Sequence, residues 1–140
     1  MNDLINTIKV HEGTNRFVYL DSKGFQTIGI GRCIDKRCDN GLSDDEINYL
    51  LTNDIKKCID HLKDKTFFIN QDEIRKEVLI ELVFNMGLSH LEEFKNFLNA
   101  FENKHYNVAV IELSISLWAK EVHQKRVQNI CYRITNGKYP

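Results

Sequence analysis

Three side chains close together in the chain, Glu12, Asp21 and Thr27, are of types that can do chemistry. Glu12 closes an amphipathic segment, Asp21 follows an alternating run, and Thr27 stands beside a glycine-rich turn. Two carboxylates and a hydroxyl can together activate a water molecule. Cutting a glycosidic bond needs such a set: one acid to protonate the leaving oxygen, and a second carboxylate to guide a water or attack the sugar. The same residues also fit an ordinary hairpin with polar tips. The residues alone leave both readings open.

The elements that must position these groups can be read from periodicity. Residues 2–11 are expected to be helical, because Leu4, Ile5 and Ile8 recur at helical spacing and Asn2 or Asp3 can cap the start. Gly13 is a natural helix stop. Glu12 would then lie at a helix C-terminus, where the macrodipole disfavours negative charge. That suits a carboxyl that must hold its proton. Residues 17–31 read as a β-hairpin: F-V-Y-L is β-prone, S-K-G is a turn signal, and F-Q-T-I-G-I-G resumes the strand. Gly29 and Gly31 let other groups approach the backbone. The loop 32–42 is polar, with Asp39-Asn40-Gly41 as a turn.

Ser43-x-x-Glu46 is a capping box, with Leu42 placed for a hydrophobic staple. Ile47, Leu50, Leu51, Ile55, Cys58, Ile59 and Leu62 follow at helical spacing. A helix of about 20 residues spans about 30 Å, enough to join two lobes and leave a cleft. Residues 66–71 are a connection, and residues 72–86 form a helix apolar nearly all round, ended by Gly87. Short helices are expected around 91–102 and 105–118, packed on that helix; in the second, Val108, Ile111, Ile115 and Trp118 fit one inward helical face, while Ile111, Leu113, Ile115 and Leu117 also alternate as a strand would. A last helix covers about 121–133, with Val122, Val127 and Ile130 inward. Strands segregated near the N-terminus and helices after them make an α+β fold.

The 140 residues, 42% of them hydrophobic, suit one compact domain with a real core. No apolar run reaches the ~18 residues of a membrane helix. The N-terminus lacks the basic and long apolar regions of a signal peptide. The formal net charge is −1, unevenly spread: residues 35–73 hold ten acids and six bases, while residues 118–140 hold five bases and one acid. The basic end can meet an anionic polymer or be a solvated helix face. No basic block interleaved with aromatics is present, which argues against nucleic acid as a partner. Four cysteines, Cys33, Cys38, Cys58 and Cys131, leave three readings. They can be free, partly buried thiols. Cys33 and Cys38 can bridge a tight loop. Cys33, Cys38 and Cys58 with His61 can hold zinc, although that spacing matches known sites poorly.

The run E-G-x(5)-Y-x-D-x-x-G-x-x-T-I-G-I-G, Glu12 through Gly31, resembles the signature of phage lysozymes of the T-even type, glycoside hydrolase family 24. Three further stretches resemble the same family: G-L-S-D-D-E-I-N-Y-L-L-T-N-D-I (41–55), L-V-F-N-M-G (82–87) and L-W-A-K-E-V-H-Q-K-R-V (117–127). The resemblance implies a lysozyme-like α+β fold, in which a small N-terminal β-hairpin lobe is joined by a long helix to a mainly helical C-terminal lobe. It implies one domain over residues 1–140, with a small lobe of about 13–60 and a large lobe of about 1–12 plus 61–140.

By the same resemblance, Glu12 becomes the general acid, Asp21 the carboxylate that activates or positions water, and Thr27 its partner. Phe84 and Asn85 would line the cleft as substrate-binding residues, although Phe84 fits the core equally well. Arg32 stands where the family usually has histidine, so a titrating contact becomes a fixed cation. His123, Lys125 and Arg126 are the candidates for a basic residue near the acid. Phe97 and Glu112 replace small polar residues at two cleft positions. Trp118 is read as core, and His11 carries no chemistry.

The implied reaction is hydrolysis of the β-1,4 bond between N-acetylmuramic acid and N-acetylglucosamine in peptidoglycan, by an inverting course, with no cofactor and no metal. A monomer is expected, since a polymer-cutting cleft must stay open. With neither signal nor anchor in view, such an enzyme would wait in the host cytoplasm for a separate pore protein. Two rivals stand beside it: a glycan-binding module that kept the fold, and a lytic transglycosylase. Intact Glu12, Asp21 and Thr27 argue against the binding module, and retention of Asp21 and Thr27 argues against the transglycosylase, which needs one carboxyl and no bound water.

Overall fold

The computed structural model describes residues 1–39 and 41–140. It divides into two compact units, Met1–Leu50 and Leu51–Pro140. The boundary falls inside one long helix.

The first unit opens with α1 (Asn2–Glu12), closed by Gly13 at φ 73°, whose N–H donates to Lys9 O at 3.0 Å. Three antiparallel strands follow in the order β1-β2-β3: β1 (Asn15–Leu20), β2 (Gln26–Gly29) and β3 (Arg32–Cys33). Tyr19 pairs with Thr27, and Thr27 with Cys33, so Thr27 sits in the middle row of the sheet. The hairpin matches expectation. The short third strand does not: residues 32 and 33 read as loop because two residues are too few for a periodic signal.

A 3₁₀ turn, Lys36–Cys38, follows β3, capped by the Asp35 carboxylate accepting from Arg37 N. The Asp39-Asn40-Gly41 turn falls partly outside the described residues, since Asn40 is not among them. Then α2 (Asp44–Leu62) begins with the expected capping box. Ser43 N donates to Glu46 Oε2 at 2.8 Å, and Glu46 N to Ser43 Oγ at 3.3 Å. The N–H of Ser43 holds the Glu46 carboxyl below its ordinary value, with Arg32 adding to the pull.

The second unit is helical. It holds the rest of α2, then α3 (Thr66–Ile69), α4 (Glu73–Met86), α5 (Leu88–Glu93), α6 (Lys95–Glu102), α7 (Tyr106–Ser114), α8 (Leu117–Glu121) and α9 (Gln124–Asn136). Its core gathers Leu62, Val78, Leu79, Leu82, Leu91, Phe97, Phe101, Leu113, Trp118, Ile130 and Ile134. Burial of these side chains stabilises the unit by about 1.5–3 kcal/mol each before entropy is counted.

Two expectations are corrected here. The segment 105–118 is not one helix, because Ser116 caps a new one: its Oγ accepts from Ala119 N. Val108, Ile111 and Ile115 do not face inward but are exposed, and Ala109 and Leu113 are buried in their place. The break between α7 and α8 lets Trp118 turn into the core without its supposed helical neighbours.

Candidate active site

Glu12 is the last residue of α1 and is exposed. Its carboxylate lies against the backbone at Gly31: a methyl group built there would stand 3.1 Å from Glu12 Oε2. Gly31 also has φ +72°, a conformation that side chains resist. Glycine is therefore favoured twice at this position, by its backbone conformation and by the close approach of Glu12. Gly29, also at positive φ, has nothing within 4 Å of such a methyl.

Asp21 begins the β1–β2 turn. Its backbone N–H donates to Phe25 O at 3.0 Å, and its carbonyl accepts from Gly24 N at 2.9 Å. Its carboxylate accepts from Lys23 N at 2.8 Å and from Phe25 N at 2.9 Å. Both of these bonds fall on Oδ1. One oxygen is thus pinned by the turn and the other takes no bond from it. Asp21 is half-buried.

Thr27 is buried, with 3% of its surface exposed. Its hydroxyl donates to Phe25 O at 3.1 Å. Phe25 is therefore the hinge of the arrangement: its N–H holds Asp21, and its carbonyl holds both the Asp21 N–H and the Thr27 hydroxyl. With its proton committed, Thr27 Oγ1 can only accept a further hydrogen bond.

Arg32, on β3, donates from Nη2 to Gly41 O at 3.0 Å and to Glu46 Oε2 at 2.9 Å. It ties β3 to the start of α2. Glu12, Asp21, Thr27 and Arg32 all belong to the first unit.

Two of the proposed sugar contacts lie in the second unit. Phe84 on α4 is 46% exposed, so it is not a core residue. Asn85 Oδ1 accepts the indole N–H of Trp118 at 2.6 Å. Trp118 is 3% exposed and belongs to the core, as expected. Phe97 is core as well, with its ring 5.3 Å from that of Phe101. His123 caps α9 through Nδ1, which accepts from Lys125 N. Arg126 pairs with Glu81 at 3.5 Å.

One group was missed. Asp35 and Arg37 lie in a stretch whose sequence reads only as a polar loop, yet Asp35 is buried. Arg37 grips it with two bonds, Nε to Oδ1 at 2.8 Å and Nη2 to Oδ2 at 2.7 Å. This grip, helped by the N–H groups of Arg37 and Gln26, holds the Asp35 carboxyl far below the usual carboxylate range. A D-x-R spacing is too common to have signalled it. Cys33 and Cys38 form a disulfide around this pair. The bridge settles two of the cysteines and removes them from the zinc alternative. Cys58 and Cys131 are free thiols.

The described residues contain no group of three or more His, Cys, Asp or Glu side chains able to hold a metal ion. Among them, no helix is long and apolar enough to cross a membrane.

The arrangement places a carboxyl at a helix end, a carboxylate anchored through one oxygen, and a threonine hydroxyl with its proton spent, all in one small unit. The family described as phage lysozyme matches residues 9–135. A probable T4-type lysozyme 2 of Dictyostelium discoideum is 29% identical over 145 aligned positions, covering 84% of this chain and 85% of that protein. A probable T4-type lysozyme 1 of the same organism is 25% identical over the same shares. A match across this much of the chain, on top of this site, shows that the protein belongs to the phage lysozyme family and is a glycoside hydrolase of the lysozyme type.

Proposed function

We propose that the enzyme hydrolyses the β-1,4 bond between N-acetylmuramic acid and N-acetylglucosamine in bacterial peptidoglycan, the polymer on which this family acts. Glu12 protonates the leaving oxygen. Asp21 and Thr27 hold the attacking water. The observation that carries this reading is the division of labour at Phe25. Asp21 Oδ1 is fixed by two backbone N–H groups, and the Thr27 hydroxyl proton is spent on Phe25 O. Asp21 Oδ2 and Thr27 Oγ1 then both act as acceptors. A water that donates one proton to each keeps its lone pair for the sugar carbon, as a single displacement with inversion requires.

Phe84 offers an apolar ring for a sugar face, and Asn85 keeps its amide N–H groups for sugar oxygens. Arg32 offers a fixed positive charge. No cofactor enters the reaction. The enzyme works as a monomer, in the manner of a phage endolysin. It is held in the host cytoplasm until a separate pore admits it to the wall, where it lyses the cell and acts as an antibacterial agent.

The test is clearing of purified peptidoglycan by wild type and by Glu12→Gln, with mass spectrometry of the fragments. Clearing by wild type alone, leaving reducing muramic ends, supports the reading. Anhydro ends would mean transglycosylation. Equal clearing by both proteins would remove Glu12 from the mechanism. Failure of both on several wall types would point to a binding module.

A further inference from the structure

The turn that carries Asp21 does not hold itself alone. Its first two bonds, Lys23 N and Phe25 N onto Asp21 Oδ1, fix the carboxylate relative to residues 23–25. Those residues are in turn gripped from outside. Arg37 Nη2 donates to Gly24 O at 2.8 Å. The Arg37 guanidinium lies over the Phe25 ring, 4.6 Å from its centroid. Asp35 Oδ2 accepts from Gln26 N at 3.2 Å. Three consecutive residues, 24 to 26, are thus contacted by one ion pair. Arg37 also feels the negative charge of Asp21 itself.

The ion pair is in turn confined. Asp35 and Arg37 lie inside the ring closed by the Cys33–Cys38 disulfide, with a sequence separation of 5. Cys33 is the β3 partner of Thr27, and Ile34 N donates to Gln26 O at 2.9 Å. One end of the ring is therefore hydrogen-bonded to the strand that carries Thr27. A planar guanidinium with two bonds to a carboxylate keeps its third contact in a fixed direction, which a lysine ammonium does not.

We propose that Arg37 is a positioning residue for the reaction: forked onto Asp35 within the disulfide ring, it clamps the 24–26 backbone and so aims the free oxygen of Asp21. This rests on the role given to Asp21 above. Arg37 touches neither sugar nor water in this account. It acts through the turn. A misaimed carboxylate slows the chemical step, and displacements of about 1 Å can cost about a hundredfold in rate. Loss of the clamp therefore lowers kcat and leaves KM in place.

The test uses the full-length oxidised enzyme and its Arg37→Lys and Arg37→Met variants, with kinetics on soluble peptidoglycan fragments and amide hydrogen exchange read residue by residue. The expected result for Arg37→Met is a kcat lowered by about tenfold to a hundredfold with KM unchanged. Arg37→Lys recovers only part of it. The Lys23 and Phe25 amides exchange faster in both variants, while α9 amides such as Ile130 keep their protection. Wild type treated with a dithiol, which opens the ring without any substitution, speeds the same two amides. A change spread evenly over both units, or a loss seen in KM alone, would overturn the proposal. So would wild-type exchange at Lys23 and Phe25 in Arg37→Met. The exchange readout needs no activity: an inactive wild type would remove the function proposed above, and unperturbed amides in Arg37→Met would remove the clamp.

Discussion

The Glu12 carboxylate rests on the backbone of Gly31, so close that a Cβ there would meet Oε2 at 3.1 Å. The helix C-terminus and the β2–β3 turn thus meet at the residue given the acid's role. Gly31→Ala should cost about 1–2 kcal/mol of stability from its left-handed backbone and, in addition, displace Glu12 and lower kcat. Gly29→Ala shares the backbone penalty but meets nothing. Melting temperature and kcat measured on both variants separate strain from displacement: similar melting losses with a kcat loss only in Gly31→Ala is the expected pattern.

Thr27→Val keeps the β-branched shape that suits β2 and removes only the hydroxyl. The lost bond to Phe25 O should cost about 0.5–1.5 kcal/mol. The larger effect is expected on kcat, since one of the two acceptors for the water disappears. A Thr27→Val enzyme with wild-type kcat would take Thr27 out of the site. Thr27→Ser, which keeps the oxygen, should retain most of the activity.

Asn85→Ala would leave the Trp118 indole N–H without its acceptor inside a 3% exposed side chain. An unsatisfied buried donor costs about 1–3 kcal/mol. Leu82→Ala, in the same helix but wholly apolar, should cost about 2–5 kcal/mol through its cavity. Urea unfolding of the two variants compares them directly. Asn85→Ala should also raise KM if the amide touches sugar, and Leu82→Ala should not.

Asp35 gives the fold an acid dependence. Its carboxyl lies below the ordinary value of 3.8 in the folded state, first because of the Arg37 fork. The unfolded chain therefore takes up this proton first as pH falls. The stabilisation is complete above that ordinary value and is lost as pH drops below it. Between about pH 5 and about pH 2, wild type should lose more melting temperature than Asp35→Asn does. Parallel curves would mean that the pair contributes nothing.

Much of the local structure and the family were legible in the chain itself. The capping box at Ser43 and Glu46, the stop at Gly13 and the turn at S-K-G depend on bonds between residues only a few positions apart. Such bonds leave marks of type and spacing in the chain. Glu12, Asp21 and Thr27 are likewise legible as a spaced set through the resemblance, and their roles stay part of the proposal.

Other features needed the tertiary structure. Val108, Ile111 and Ile115 fit a helical face, but whether that face is covered depends on what packs beside it, and Leu113 and Ala109 took the inward place. Asp35 and Arg37 carry no pattern of their own. Their meaning comes from Gly24, Phe25 and Gln26, brought beside them by strand pairing and by a disulfide chosen among three readings of the same cysteines. A capping bond is written in sequence because its partners are neighbours along the chain. A clamp across strands is decided by distance in space, and only the folded chain fixes that.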